Sequence, residues 1–379
     1  MLIGVPNEIK NHEYRIGLTP TGVSELVANG HAVVVEKNGG AAVGFSDDDY
    51  REAGASIIET AAEIFDRADM IVKVKEPQPQ ECKMLREGQA LFTYLHLAPD
   101  PEQTRLLVES GATCIAYETV TDADGGLPLL TPMSEVAGRM AAQEAALCLE
   151  KAQGGKGILM GGVPGVPPAN VLVIGGGVVG INAARIAMGM GANVTIADRS
   201  LSRLKDIDEA FGDRLNTLYS TRANIETLLP TVDAVIGAVL IPGAAAPKLI
   251  SREMLKLMQP GSVLVDVAID QGGCFETSKP TTHQDPIYSV DGIIHYCVAN
   301  MPGAVARTST LALTNATLPF VVALANQGVH HALLADANLL KGLNVHKGMV
   351  TMDAVAETLG YDYVEPTQAL QPALVQETA

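Results

Sequence analysis

Residues 171–200 read VLVIGGGVVGINAARIAMGMGANVTIADRS, and the order of residue types in this stretch decides the fold. An apolar β-like run stops at a glycine cluster. A helix-sized apolar segment follows, and a second β-like run, NVTIAD, ends on an acid. Gly175, Gly177 and Gly180 satisfy G-x-G-x-x-G. In that pattern the first glycine makes a tight turn and the second lets a pyrophosphate approach the backbone. The third lets helix and strand pack closely. A helix opening near Val178 offers unpaired N–H groups to the same pyrophosphate. Asp198, at the end of the second run, suits the ribose hydroxyls of an adenosine and repels a 2′-phosphate, so NAD is favoured over NADP. Arg199 and Arg203 weaken that preference slightly. The motif predicts dinucleotide binding without separating a dehydrogenase from another NAD-dependent module.

The same strand-then-helix rhythm extends both ways. After the glycine unit come AVIGAVL (234–240) and GSVLVDVAID (261–270). Before it lie HAVVVE (31–36), DMIVKVK (69–75), ALFTYLHL (90–97) and TCIAYETV (113–120). These apolar runs are continuous rather than alternating, as in strands buried on both faces of a parallel sheet. Helices are predicted over Thr21–Asn29 and Pro101–Ser110, and a long one over 135–152 that links two domains. Beyond residue 305 the pattern turns helical. The expected fold is α/β, with two Rossmann-like open parallel-sheet domains separated by an active-site cleft. Residues 1–130 and 306–379 form one domain, the tail folding back on it, and 131–305 form the nucleotide domain. The final PTQALQPALVQETA (366–379) reads as a mobile tail.

Composition narrows the function classes. The chain has 379 residues with 47% apolar content, enough to bury two cores. A formal charge of −17 argues against nucleic acid as a partner, since no basic stripe serves phosphates. Five cysteines, odd in number, widely spaced and without CxxC, suit a reducing compartment and no thiolate metal site. The N-terminus lacks a signal-peptide layout. LALTNATLPFVVALANQGV (311–329) is interrupted by Asn315, Pro319 and Asn326, and reads as a buried helix rather than a membrane span. His330 and His331 are adjacent in sequence and lack a matching acid or cysteine, so no metal site is expected.

Polar residues cluster where apolar runs stop, which is where open α/β sheets bind ligands. Arg15 suits a two-point grip on a carboxylate, and Lys75 adds a compact charge for the same anion. His96 stands in YLHLAPD, and a histidine titrates near neutrality, as a proton carrier needs. Asp270 is placed to orient water or assist proton transfer, whereas Asp266 reads as structural. Asn300 has an amide for a carboxamide or ribose, and Met301 covers an aromatic ring or fills a core. Ser134 serves a phosphate or caps the helix that follows it.

VPNEIKNHEYRIGLTP, VKVKEP, YLHLAPD, VLVIGGGVVG, DVAIDQGG and VANMPGAVARTST, in this order, closely resemble bacterial alanine dehydrogenases, of the alanine dehydrogenase/pyridine nucleotide transhydrogenase family. The resemblance runs to about residue 365. It implies a cytoplasmic, NAD-dependent homohexamer that interconverts L-alanine with pyruvate and ammonia through an imine and water addition. It also implies roles: Arg15 and Lys75 for the substrate carboxylate, His96 as acid–base residue, and Asp270 as its partner. Ser134, Asp198, Arg203, Ser220, Asn300 and Met301 would contact NAD, with the Val178–Val179 turn over the pyrophosphate. Neither a membrane nor a nucleic acid partner is implied. Three other readings stay open on the residues alone: the NAD-binding component of a proton-translocating transhydrogenase, a lysine- or saccharopine-forming dehydrogenase, and an NAD-sensing protein without catalysis.

Overall fold

The computed structural model describes residues 1–239 and 246–371. Leu240, at the end of AVIGAVL, and the last eight residues of the tail lie outside the described residues. In chain order the strands are β1 (Leu2–Val5), β2 (Ala32–Glu36), β3 (Ser56–Ile58), β4 (Met70–Val72), β5 (Ala90–Thr93), β6 (Thr113–Ala116), β7 (Asn170–Ile174), β8 (Asn193–Asp198), β9 (Asn216–Tyr219), β10 (Ala234–Gly237), β11 (Val263–Asp266), β12 (Ile287–Val290), β13 (Ile293–Tyr296), β14 (Leu343–His346) and β15 (Met349–Val350). The chain divides into two units, Met1–Pro132 with the segment from Val305 onward, and Met133–Ala304.

In the first unit the described strands form one sheet in the order β3-β2-β1-β4-β5-β6-β14-β15. Strands β1 to β6 run parallel. Their 3-2-1-4-5-6 order is that of the doubly wound nucleotide-binding folds. The tail returns to add β14 antiparallel to β6, with a register shift between Leu343 and Val345. Two short strands therefore lie where the sequence reads only as helical. The second unit repeats the plan, β9-β8-β7-β10-β11-β13-β12, with β12 antiparallel at the edge. Central strands such as β4, β5, β10 and β11 are buried at every position, which explains their unbroken apolar runs. One core gathers Ile64, Phe65, Leu91, Leu107 and Val345, and the other gathers Leu172, Val235, Leu264 and Phe275.

Local chemistry sets the helix ends. In the helix Pro101–Ser110, the Asp100 carboxylate accepts the Gln103 N–H, Pro101 opens the first turn and Gly111 closes in the left-handed region. The linking helix runs Thr131–Cys148, ending earlier than 135–152 and also starting earlier, where Pro132 is well placed in a first turn. Ser134 is thus the fourth residue of this helix, inside it rather than ahead of it. The described part of the tail, up to residue 371, includes a capped helix. Glu365 caps the helix Pro366–Ala369, Leu370 is 3% exposed, and the His330 ring lies 2.5 Å from the Leu370 carbonyl oxygen.

One helix among the described residues, within Met301–Gln327, is long and apolar enough to cross a membrane, with 44% of its most apolar window buried. Its helical part, Ala306–Gln327, packs inside the first unit. Thr310 Oγ1 accepts the Ile16 N–H at 3.3 Å, and the Arg307 guanidinium stands 5.0 Å over the Phe45 ring.

Candidate active site

Strands β1, β4 and β5 are neighbours, and the segments beyond their carboxyl ends carry Arg15, Lys75 and His96 in turn. The sequence-predicted strands overshoot: β4 ends at Val72 and β5 at Thr93. Pairing continues irregularly beyond them. Tyr94 N–H donates to the Val74 carbonyl at 3.3 Å, and Thr93 Oγ1 donates to the Lys75 carbonyl at 2.9 Å. The regular ladder stops because carboxylates take over its N–H groups. Glu8 accepts from Val74 N–H at 2.6 Å, and Glu118 accepts from Leu95 and His96. Gly17 lets the Arg15 segment run against β4, for a Cβ there would stand 2.5 Å from the Val72 carbonyl oxygen.

Arg15 is 3% exposed, and its fork is already engaged. Nε donates to Glu13 Oε1 at 2.7 Å and Nη2 to Glu13 Oε2 at 2.6 Å. The two-point face expected to hold a substrate carboxylate therefore grips Glu13 in this structure. Burial works against the guanidinium charge, and Glu13 more than offsets it. Lys75 stands 3.3 Å from Glu76, which also pairs with Lys10. Burial opposes the Glu76 charge too, but Lys75 and Lys10 prevail and hold its carboxyl down at about 2. The His96 ring stacks on Tyr94, with 5.8 Å between centroids and 4° between planes, and its side chain is 43% exposed. Burial pushes the Tyr94 hydroxyl well up despite Arg15, whose charge acts on it in the opposite sense. Tyr94 thus touches the His96 ring while lying in the field of Arg15.

Sequence reasoning missed three groups here: Glu13, Glu118 and Lys73. Lys73 is fully buried, with Glu81 at 2.8 Å and Glu8 at 3.1 Å. Against burial, the two carboxylates keep its ammonium charged. Burial pushes Glu8 up, with Lys73 pulling it down and Glu81 adding to the rise. For Lys73 the available signal was the alternation in VKVK, which puts Lys73 and Lys75 on one side of an extended chain.

In the second unit the expected residues lie beyond the carboxyl ends of parallel strands. The glycine turn follows β7, Asp198 ends β8, Ser220 follows β9, Asp270 follows β11, and Asn300 with Met301 follows β13. Gly180 is confined, since a Cβ would sit 1.8 Å from the Gly175 carbonyl oxygen. Gly177 is the opposite case. It precedes the helix Val178–Gly189, and a Cβ there would meet nothing within 4 Å, so the exposed turn at Gly177 and Val178 fits a pyrophosphate. Val179 is half-buried. Asp198 Oδ2 accepts the Gly176 N–H at 2.6 Å and Oδ1 the Ser200 N–H at 2.8 Å, tying the acid to the turn. Arg203 Nε donates to the Gly176 carbonyl at 2.6 Å from the other side. The buried Ser220 donates its N–H to the Asp198 carbonyl at 2.9 Å. Asp270 is exposed on a short turn, whereas Asp266 is buried and accepts N–H groups of Ala268, Cys274 and Phe275. Asn300 is in the left-handed region at φ +59, with its carbonyl 3.1 Å from the His283 ring. Met301 is 3% exposed. Ser134 is half-buried in the linking helix. All five thiols are buried and free, and burial pushes Cys82 and Cys148 up to about 12, which leaves them protonated and inert.

Family models for the alanine dehydrogenase/PNT N-terminal and C-terminal domains match residues 4–137 and 141–353. The chain belongs to the alanine dehydrogenase/PNT family. It is similar to an alanine dehydrogenase of Halomonas elongata, 62% identical over 365 residues, which spans 96% of this chain and 98% of the relative. A solved L-alanine dehydrogenase is 51% identical with a TM-score of 0.92, covering 95% of this chain and 99% of the other. A transhydrogenase structure from Sinorhizobium meliloti is 26% identical with a TM-score of 0.80, over 93% and 100%. The alanine dehydrogenases are about twice as similar in sequence as that transhydrogenase.

Replacing Lys73 by Met strands two buried carboxylates, so a loss of about 3–5 kcal/mol is expected. It is measurable by thermal or urea unfolding. The Glu76 pairing makes a second prediction. Its folded carboxyl lies below the ordinary value of 4.5, so its stabilisation is complete above pH 4.5 and lost as pH falls towards about 2. Glu76→Gln should lower the melting temperature at pH 7 and flatten its fall across that acid window.

Proposed function

We propose that this protein catalyses the NAD-dependent, reversible oxidative deamination of L-alanine to pyruvate and ammonia, through an imine and water addition. One observation carries the reading. In a chain of the alanine dehydrogenase/PNT family, Arg15, Lys75 and His96 all follow the carboxyl ends of three adjacent strands of one sheet, and the other unit carries a complete glycine-turn-and-acid unit on its own sheet.

In this reading the first unit is the substrate and catalytic domain and the second the NAD-binding domain. Arg15 and Lys75 neutralise the substrate carboxylate. The Glu13 grip holds the guanidinium plane fixed before substrate arrives, which limits the ordering cost of binding. His96 removes a proton from the substrate ammonium and moves protons as water adds and ammonia leaves. Asp270 orients the water or stabilises positive charge near the reacting carbon. Gly175, Gly177, Val178, Val179 and Gly180 cradle the pyrophosphate, and Asp198 with Arg203 flanks the adenosine ribose. Ser134, Ser220, Asn300 and Met301 complete the cofactor contacts. Bound NAD supplies the hydride acceptor. The family resemblance supports a homohexamer, and five buried free thiols support a reducing, cytoplasmic setting.

NADH formation from NAD and a panel of L- and D-amino acids, with the reverse assay on pyruvate and ammonia, tests the proposal. Strong turnover of L-alanine in both directions is expected. No turnover by protein that binds NAD would overturn it. Asp198→Asn tests the cofactor preference separately. It keeps one oxygen for the Gly176 N–H but removes the charge that repels a 2′-phosphate. The ratio of kcat/KM with NADP to that with NAD should rise about tenfold, the equivalent of ~1.4 kcal/mol.

A further inference from the structure

His96 is held in a conformation that its own backbone disfavours. Its φ of +49 is in the left-handed region, which a residue bearing a Cβ adopts at a cost and keeps only where surroundings enforce it. Gln103 Nε2 and Thr104 Oγ1 donate to the flanking Leu95 and Leu97 carbonyls at 2.9 and 3.0 Å, while one carboxylate takes the N–H groups at the turn itself. Glu118 Oε1 accepts the His96 N–H at 2.6 Å and the Leu95 N–H at 3.1 Å, and Oε2 stands 3.2 Å from the same Leu95 nitrogen. The same Oε1 lies 3.6 Å from His96 Nδ1, just beyond hydrogen-bond reach.

We infer that Glu118 is the positioning residue for His96: it sets the backbone turn that presents the imidazole and faces the Nδ1 edge of the ring, leaving Nε2 as the working nitrogen. The inference rests on the reading of His96 as the acid–base residue. Chain topology delivers Glu118 to this place. Strands β5 and β6 pair in parallel with Thr93 opposite Ala116, and β6 passes straight into the turn Tyr117–Thr119. That turn is anchored on both sides of Glu118. The Tyr117 hydroxyl donates to the Lys73 carbonyl at 2.9 Å, and its ring meets Phe92 and Tyr94 edge-on at 4.4 and 5.1 Å. The Asn344 amide, on β14, donates to Thr119 Oγ1 at 2.9 Å. The Glu118 side chain is 15% exposed. A partly buried carboxylate on an anchored turn is a firmer support than a long side chain in water.

A neutral acceptor would satisfy the two N–H groups, but an imidazole that gains positive charge in the reaction benefits from the anion beside Nδ1. That difference separates positioning from plain loop support. Steady-state kinetics of Glu118→Gln and Glu118→Ala, with His96→Asn as reference, test it. The reference should abolish turnover while NAD affinity stays normal. Glu118→Gln keeps an oxygen for the N–H groups and should lower kcat about tenfold, with the KM for L-alanine little changed. Glu118→Ala should lower kcat about a hundredfold, the scale of a misplaced reacting group. In both, the solvent deuterium isotope effect on kcat should increase as proton transfer becomes more limiting. Wild-type kcat in Glu118→Gln beside a dead His96→Asn would overturn the role of Glu118 and leave His96 standing. So would a loss confined to KM with an unchanged isotope effect. An active His96→Asn would instead remove the reading beneath it. Should Glu118→Ala fail to fold, the glutamine variant alone decides.

Discussion

Strand β1 hydrogen-bonds to β2 on one side and to β4 on the other, and the chain reverses its direction of winding there. That shared pairing is the constraint on which the first unit depends. Parallel strands all end at the same edge, so the segments after β1, β4 and β5 leave the sheet side by side. Residues far apart in sequence, Arg15, Lys75 and His96, are brought to one edge by this alone. Strand β7 takes the same position between β8 and β10 in the second unit, and its glycine turn reaches the matching edge.

What happens beyond those strand ends follows one physical rule. When a ladder stops, its next N–H groups still need acceptors. Here acidic side chains supply them repeatedly. Glu8 takes Val74, Glu118 takes Leu95 and His96, Asp198 takes Gly176 and Ser200, and Asp266 takes Ala268, Cys274 and Phe275. Each carboxyl group has two oxygens, so one side chain can answer several N–H groups at once. The segments that carry the candidate chemistry are thereby irregular in path but firmly held. The fully buried Lys73 belongs to the same arrangement, because it offsets part of the charge that Glu8 and Glu81 bring into the interior. Arg15 and Glu13 form a comparable buried pair, which keeps a charged group ready without leaving it unpaired in the protein.

The α/β class, the glycine unit and the positions of most strands were legible because their signals are local. A continuous apolar run, a glycine at a fixed offset and a proline after a capping acid each act within a few residues. The helix Pro101–Ser110 was read to the residue for that reason. The strands β14 and β15 were not legible, because LNVH and MV become strands only through pairing with β6 and each other. Among the candidate site residues, the cations and His96 were visible as polar interruptions of apolar runs. Glu118 interrupts TCIAYETV in the same way and was passed over, since its function depends on the neighbouring strand. The two-point grip of Arg15 was legible as chemistry, but its partner in this structure, Glu13, was not.

By itself, then, the sequence determined which segments are strands buried on both faces, where the dinucleotide turn lies and which residue types stand at the strand tips. These are properties of short windows, governed by burial periodicity and backbone sterics. Tertiary structure alone decided the strand order, the antiparallel pairing of the returning tail with β6 and which carboxylate answers which N–H or cation. Those outcomes depend on distances between groups that are remote along the chain. His96 and Glu118 are 22 residues apart in sequence and 2.6 Å apart between backbone nitrogen and carboxylate oxygen, because two parallel strands happen to be neighbours.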